Sequence, residues 1–223
     1  MAGFKFTGLG AGSASGNSIR YEQILGLLTT AGDTLQASAA GTFARLALGT
    51  ARQVPKVNAG ATALAYADQI TLSTEQASTS GTSIDFASIP AGVKRITVMF
   101  LDVSTNGTSP PIVQIGTAGA TEATGYVGSS SAVSAGVATA SFTTGFGINL
   151  ASASSTICGA LTLTLEDASG FTWVCSGVTT EGITTTVMTA GRKSLAAALD
   201  FVRITTVNGS DAFDAGAINI CYE

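Results

Sequence analysis

The segment NGSDAFDAG carries the side chains of this sequence that are best suited to bind a metal ion, namely Asn208, Asp211 and Asp214. Carboxylate and amide oxygens are ligands that calcium prefers. The spacing differs from that of an EF-hand loop, and in a simpler interpretation Asn208-Gly209 forms a tight turn and the aspartates hydrogen-bond to nearby backbone. We therefore assign no metal or other cofactor, and a calcium ion near Asp211 and Asp214 stays an open alternative.

Catalytic groups are sparse. The chain contains no histidine, which excludes Ser-His-Asp and Cys-His arrangements. Cleavage of a polysaccharide needs two carboxyl groups held about 5 to 9.5 Å apart. The adjacent Glu166 and Asp167 do not suit this role, because neighbouring side chains of a strand point to opposite faces. We predict no catalytic residue and no enzyme activity, and keep a polysaccharide depolymerase as an alternative that release of reducing ends would reveal.

Three cysteines, Cys158, Cys175 and Cys221, give an odd count. If a turn near residues 167–170 forms a hairpin, Cys158 faces Thr179 and not Cys175, so a disulfide between these two cysteines is not expected. We predict small buried thiols.

The first predicted element of the chain is a helix, which the apolar spacing in NSIRYEQILGLLT, residues 17–29, indicates. Tyr21, Ile24, Leu25 and Leu28 follow the spacing of one helix face, and Asn17 or Ser18 could cap its start. A helix of this length is marginal alone in water. We therefore expect its apolar face to dock on sister chains or on a larger particle.

The next stretch, GTFARLALGTARQVPKVNAGATALAY, is rich in glycine and alanine and poor in large apolar side chains. We expect short extended pieces in which Leu46, Leu48, Val54 and Val57 are buried only when three chains wind together. Residues 17–66 are accordingly predicted to be disordered in an isolated monomer and ordered in a trimer.

From about Ser73 onward the apolar period changes to two, as in VKRITVMFL, ALTLTLE, FTWVCSGV and AINICYE. Eight to ten short strands separated by turn signals predict an antiparallel sandwich, jelly-roll-like. The segment RKSLAAALDF is either a short helix or a loop. The predicted domains are an attachment arm with a short helix over 1–30, an extended shaft over 31–72, and an all-β head over 73–223.

Charge is sparse in this chain of 223 residues, of which 11% are charged. The first 70 residues hold five Lys/Arg against three Asp/Glu, and the remainder holds five against eleven. This balance offers no basic surface for nucleic acid. There is no apolar run long enough to span a bilayer and no apolar signal-peptide core, so we expect the protein to fold in a cytoplasm without membrane insertion.

The segment GTFARLALGTARQVPKVNAGATALAYAD resembles a linker repeat of tailed-bacteriophage tail fibres. The later IPAGVKRITVMFLDVSTNGTS, GYVGSS and FDAGAINICYE are similar to the C-terminal module of many phage and prophage fibre proteins. The resemblance covers about residues 29–66 and 80–223. It departs at Arg52, Pro55 and Tyr66, where the repeat has Gly, Leu and Trp.

The resemblance implies a homotrimeric virion protein, assembled in the bacterial cytoplasm, with a thin shaft built by three chains. Its partners would be other phage structural proteins, bound through the N-terminus, and a bacterial surface glycan or protein receptor. The alternative is a capsid-attached head fibre or decoration protein. For receptor binding, the loop positions Tyr126, Asn106, Thr108 and Arg192 are the candidates, whereas Trp173 and Tyr222 lie inside apolar strands typical of a core.

Overall fold

The structure is a computed structural model that describes residues 26–39, 42–58, 60–150 and 152–223. The chain divides into two compact units, Met1–Gln69 and Ile70–Glu223. In the described residues both units are built from antiparallel strands, without a helix. This confirms the all-β class.

The first unit contains two hairpins. Strand β1 (Thr34–Ala39) pairs with β2 (Thr42–Leu46), and β3 (Gln53–Val57) pairs with β4 (Leu64–Asp68). The predicted extended shaft without partners in its own chain is therefore wrong for these residues. Pro55 fits within β3, since both strands of a two-stranded hairpin are edges.

Local side-chain contacts explain why this stretch turns back on itself. The Asp33 carboxylate accepts hydrogen bonds from the backbone N–H groups of Thr29, Thr30 and Leu48, at 3.0, 2.8 and 3.0 Å. Gly49 lies against the Tyr66 ring, where a Cβ would come within 2.5 Å of it. Of the predicted helix over 17–29, residues 17–25 lie outside the described residues, and residues 26–27 form a turn.

The second unit contains fourteen strands in its described residues, ten of them four residues or longer. They are β5 (Thr71–Leu72), β6 (Gln76–Ala77), β7 (Ser83–Phe86), β8 (Arg95–Thr105), β9 (Pro111–Thr117), β10 (Ala120–Thr121), β11 (Val127–Val133), β12 (Val137–Phe142), β13 (Phe146–Gly147), β14 (Ile157–Asp167), β15 (Thr172–Glu181), β16 (Thr185–Ser194), β17 (Phe201–Thr206) and β18 (Phe213–Tyr222).

These strands form two sheets. The smaller has the order β10-β9-β17-β7, with β13 also paired to β9. The larger has the order β12-β11-β16-β15-β14-β8-β18-β5, with β6 also paired to β18. Strands β14, β15 and β16 follow one another as a meander inside the larger sheet, which departs from the double Greek key of a jelly roll.

One buried cluster draws on both sheets. Ile84, Val113 and Ile204 come from the smaller sheet and pack with Leu161 and Ile218 from the larger one. The alternating burial of β8 and β15 places one face of each strand in this cluster, as the period of two predicts. Trp173 is 2% exposed, in agreement with its assignment to the core.

The loop after β16, the strands β11 and β12, and the three cysteines each bear on a prediction from the sequence. The segment RKSLAAALDF ends β16 and then runs as a loop into β17. Strands β11 and β12 had no counterpart among the segments predicted from apolar alternation, because small and hydroxyl residues give them little apolar period. The three cysteines are free, and Cys175 is buried as predicted, whereas the prediction of buried thiols is wrong for Cys158 and Cys221, which are half-buried. In the β14-β15 register Cys158 pairs with Thr180 and not with Thr179.

We predict that Gly216→Ala destabilises the second unit by about 1 to 3 kcal/mol, because Gly216 has φ +88° and an added Cβ would lie 2.4 Å from the Asp102 carbonyl oxygen. Gly216 lies at a register shift between β18 and β8. Urea unfolding of the full chain measures the loss. Gly136→Ala is the control, since nothing lies within 4 Å of its added Cβ; equal midpoints for both variants would contradict the prediction.

Candidate functional site

The outer face of the smaller sheet forms a polar groove of about 370 Å³. Since Ile84, Val113 and Ile204 point into the core, their sequence neighbours Ser83, Gln114 and Thr205 point to the opposite face. Three further segments contribute to the lining: Thr121 with Ala123, Thr144, and residues 206–209. The groove is therefore built on three strands and flanked by loops.

Hydroxyl and amide groups dominate this groove. They belong to Thr82, Ser83, Gln114, Thr121, Thr144, Thr205, Thr206 and Asn208. Arg203 is the charged residue among those that line the groove. Hydroxyl and amide groups both donate and accept hydrogen bonds, and they are uncharged.

Asp85 and Arg203 form a two-point ion pair between β7 and β17. The Arg203 Nε atom donates to Asp85 Oδ1 and its terminal nitrogen donates to Asp85 Oδ2, each at 2.7 Å. Hydrogen bonding to Asp85 raises the pKa of Arg203 above its ordinary value, and burial opposes this only partly. The pair is 35% exposed on each side, so it presents a neutralised, planar hydrogen-bonding group to the solvent.

Other polar side chains of the groove are held by the backbone. Gln114 is buried and its amide donates to the Thr144 carbonyl oxygen at 2.9 Å. The Thr205 hydroxyl donates to the Thr82 carbonyl oxygen at 2.8 Å. At one end, the Thr206 hydroxyl donates to Asn208 Oδ1 at 2.8 Å. These contacts fix the groove before any ligand arrives, which lowers the entropy cost of binding.

Tyr126 belongs to the apolar core and does not line the groove. It is 2% exposed, and its hydroxyl accepts from the Ile115 N–H at 2.8 Å and donates to the Ile115 carbonyl oxygen at 3.2 Å. Its ring meets Phe146 edge to face at 5.1 Å. The prediction that Tyr126 lies in an exposed loop is therefore wrong, because its ring is in the core and the Ile115 backbone satisfies its hydroxyl.

An ion pair joins the buried Lys193 to the half-buried Glu122. Lys193 Nζ donates to Glu122 Oε2 at 2.6 Å, and the Ala196 N–H donates to Glu122 Oε1 at 3.0 Å. Lys193 is buried and lies 5.6 Å from the centre of the Tyr126 ring. Burial alone would raise the pKa of Glu122, but the hydrogen bonds from Lys193 and Ala196 outweigh it and hold that pKa below its ordinary value. Glu122 stands between Thr121 and Ala123, so the pair positions the loop that lines the groove.

The remaining receptor candidates are dispersed. Asn106 and Thr108 are exposed in the loop between β8 and β9, where Asn106 Oδ1 accepts from the Ala212 N–H at 2.9 Å. That loop also contacts the groove's end, because the Asn208 N–H donates to the Ser109 hydroxyl at 3.0 Å. Arg192 is exposed on β16 in the larger sheet and does not line the groove.

The residues predicted to form trimer contacts lie partly outside the described residues, and the others are half-buried or exposed. Tyr21, Ile24 and Leu25 lie outside the described residues, and Leu28 is half-buried. Leu46 and Val54 are half-buried in their hairpins. Leu48 is 55% exposed and Val57 64% exposed.

The tight turn predicted at Asn208-Gly209 is confirmed, whereas the prediction that the aspartates hydrogen-bond to nearby backbone is wrong, because their partners are the Asn208 side chain and groups of residues 104 and 109. Asn208 Oδ1 accepts from the N–H groups of Ser210 and Asp211, and Asp211 accepts from Asn208 Nδ2 at 2.6 Å and from the Ser109 N–H at 2.9 Å. Asp214 instead accepts from the Ser104 hydroxyl at 2.6 Å. In the part of the chain that the structure describes, no three His, Cys, Asp or Glu residues are grouped to hold a metal ion.

Asp167 and Cys175 are two further residues with ionisable side chains. Asp167 accepts from the Ser169 N–H and hydroxyl at 2.8 and 2.7 Å, so it organises the β14-β15 turn beside the exposed Glu166. Burial raises the pKa of the Cys175 thiol to about 12, so this thiol stays protonated.

Across residues 26–223, apart from 40–41, 59 and 151, there is no helix of the length and apolarity that a membrane span requires.

Comparison of the chain with protein-family models, with curated proteins and with solved structures finds no match.

We predict that Glu122→Gln lowers the free energy of unfolding at pH 7 by about 3 kcal/mol, because it leaves the buried Lys193 without its counter-charge. The folded-state pKa of Glu122 is lowered, so the pair stabilises the fold above the unfolded-state pKa, near 4.3, and that stabilisation is lost as the pH falls through the folded-state value.

Urea unfolding at a series of pH values tests this. The difference between wild type and Glu122→Gln is expected to shrink as the pH falls below about 4. The exposed Glu166→Gln is the matched control and should differ little from wild type at any pH. A difference for Glu122→Gln that grows towards acid pH would contradict the prediction.

Proposed function

We propose that this protein is a structural bacteriophage virion protein, a homotrimeric tail fibre whose second unit binds the host cell surface through the polar groove. One observation carries the proposal: the first unit is two hairpins that share no sheet and are joined by the Gln36 side chain on the Leu64 backbone, and they leave Phe43, Leu48, Val57 and Leu64 at least 43% exposed. An isolated two-stranded hairpin is marginally stable in water. Such a unit gains stability by packing its apolar side chains against other copies of itself.

The number of copies rests on the sequence. The hairpins coincide with the segment that resembles the phage fibre linker repeat, and that resemblance implies a threefold axis. Closed threefold symmetry also gives each exposed hairpin edge a neighbour, which limits uncontrolled edge pairing. The localisation that follows is the virion, assembled in the bacterial cytoplasm.

For the second unit we propose a two-layer sandwich of the smaller and larger sheets. The support is the single apolar cluster to which both sheets contribute, since two sheets that share an inner face pack in layers. In this arrangement the groove is on an outward face, open to a ligand.

The groove chemistry favours a neutral surface glycan as the receptor. Sugars offer closely spaced hydroxyls that both donate and accept, and the Asp85-Arg203 pair with the groove hydroxyls and amides supplies matching partners. Because Asp85 neutralises Arg203, the groove has no strong preference for an anionic polymer.

The alternative is a capsid-attached head fibre or decoration protein. A different surface of the second unit supports it. The outer face of the larger sheet carries a row of uncharged side chains in register: Met99, Ala160, Val178 and Met188. Val178 and Met188 are exposed. A nearly uncharged sheet face of this kind suits contact with another protein surface.

Immunogold electron microscopy separates the tail-fibre hypothesis from the capsid hypothesis. Label on the capsid supports the alternative, and label on the tail supports the fibre.

We predict that the double variant Leu48→Asp and Val57→Asp loses the trimer, because it places charge on the exposed apolar side chains of the hairpins. Sedimentation equilibrium of wild type should give three times the 22.1 kDa of one chain, and the variant a lower mass. Ile183→Asp, at the exposed β15-β16 turn, is the control and should stay trimeric. A wild type that is monomeric at every concentration would refute this assembly.

We predict that Arg203→Lys weakens adsorption of the full-length protein to susceptible bacteria about tenfold, because lysine keeps the charge but loses the two-point pairing. Arg95→Lys is the matched control, since Arg95 also pairs with a carboxylate, Glu223, but does not line the groove. Neutral oligosaccharides from the cell surface should compete with adsorption. Equal adsorption of both variants would exclude the groove as the receptor site.

A further inference from the structure

Asp85, Arg203 and Gln114 form one row across the smaller sheet. Arg203 of β17 is directly opposite Asp85 of β7 on one side and Gln114 of β9 on the other. Each of the three stands between residues whose side chains are buried, so the alternation of the strands puts all three on the groove face. Side chains directly opposite each other on neighbouring strands are close enough to contact one ligand group together.

One nitrogen of Arg203 remains available as a donor. Its Nε and Nη2 atoms donate to Asp85, each at 2.7 Å. Because a guanidinium group is planar and its donors form a fixed fork, the third nitrogen, Nη1, is directed away from β7. Strand β9, with Gln114, flanks β17 on that side. Nη1 has no acceptor within the described residues.

Gln114 supplies an acceptor beside this donor. Its Nε2 donates to the Thr144 carbonyl oxygen at 2.9 Å, which identifies Oε1 as the other end of the amide. Oε1 receives no hydrogen bond from the described residues and yet keeps contact with the open groove, since the sealed side-chain atoms without a partner there belong to Trp173 and Thr179. Asp85 and Thr144 therefore hold a donor and an acceptor in place, next to each other but not bonded to each other.

We propose that Arg203 and Gln114 select an N-acetylated amino sugar in the surface glycan. The acetamido N–H donates to Gln114 Oε1, and the acetamido carbonyl oxygen accepts from Arg203 Nη1. A trans secondary amide carries its N–H and C=O on opposite edges, so one such group spans a donor and an acceptor that do not reach each other. This inference rests on the proposed role of the groove as the glycan site.

A plain hexose lacks this match. A hydroxyl in place of the acetamido group is too short to span both protein groups, so one of them loses its water without gaining a partner. Leaving a desolvated polar group unpaired costs more than a hydrogen bond gains. Sites built to pair with a ligand N–H reject analogues that lack it.

Titration of the full-length protein by ligand-observed NMR tests the selection. The probes are the methyl β-glycosides of N-acetylglucosamine and N-acetylgalactosamine. Each is compared with its parent hexoside and with the 2-O-acetyl hexoside, which keeps the carbonyl and the methyl group but has an ester oxygen in place of the amide N–H. At least one acetamido sugar should bind about tenfold more tightly than both of its analogues.

Two variants test the location. Gln114→Met removes the acceptor at similar side-chain length and should bring the acetamide and the ester to within about twofold of each other. Asn219→Leu is the matched control and should keep the preference of wild type. The Asn219 amide also donates to a backbone carbonyl oxygen, that of Ser73 at 3.1 Å, but belongs to β18 in the larger sheet. If Gln114→Met fails to fold, the comparison of acetamide and ester on wild type still decides.

Three results would each overturn the inference: no saturable binding of either acetamido sugar, equal affinities of wild type for the acetamides and their esters, and a preference that survives Gln114→Met. If the affinities are equal while Arg203→Lys still weakens adsorption, the groove stays the receptor site and only the selection fails. An acetamide preference with adsorption unchanged in Arg203→Lys would support the selection and contradict the attachment role.

Discussion

The alternation of apolar and polar side chains along the long strands is the constraint on which the second unit depends. In β8, Ile96, Val98 and Phe100 are buried while the residues between them are not, and β14 repeats the pattern with Leu161 and Leu163. Each strand can therefore offer one face to a common core. The smaller sheet adds Ile84, Val113 and Ile204, so a single cluster serves both sheets. Its strands β9 and β17 are buried on both faces, unlike the long strands of the larger sheet.

The polar groove follows from that constraint. Its floor is the reverse face of strands whose other side is locked into the core, so the strands that carry Asp85, Gln114 and Arg203 have little freedom to move. The loop that carries Thr121 and Ala123 depends on a tertiary contact of a different kind, the Lys193-Glu122 pair. A binding site on a rigid sheet with an anchored flank is organised in advance of its ligand.

The two units differ in how far they satisfy themselves. The second buries a large apolar cluster, whereas the hairpins of the first hold their turns by local contacts such as those of Asp33 and leave apolar side chains exposed. We propose that further copies of the chain cover these side chains, since the chain has few charges to hold them in water. In the proposed function, the first unit associates with further copies of the chain and the second unit binds a cell surface.

The amino-acid sequence by itself determined the all-β class, the free cysteines and the principal core strands, because a period of two is a local property that any single strand displays. It did not reveal β11 and β12, whose serines and alanines carry no apolar period, or the hairpins of residues 34–68, which depend on turn contacts such as Asp33 with Leu48. The groove was equally hidden, since Asp85 and Arg203 are 118 residues apart and meet only when β7 pairs with β17. Tyr126 shows the same limit: glycine and small residues around it suggested exposure, and only the packing of its loop on β9 decided that it is buried. Local pattern sets which face of a strand is apolar, but which strands become neighbours, and so which side chains form a site, is decided by the tertiary structure.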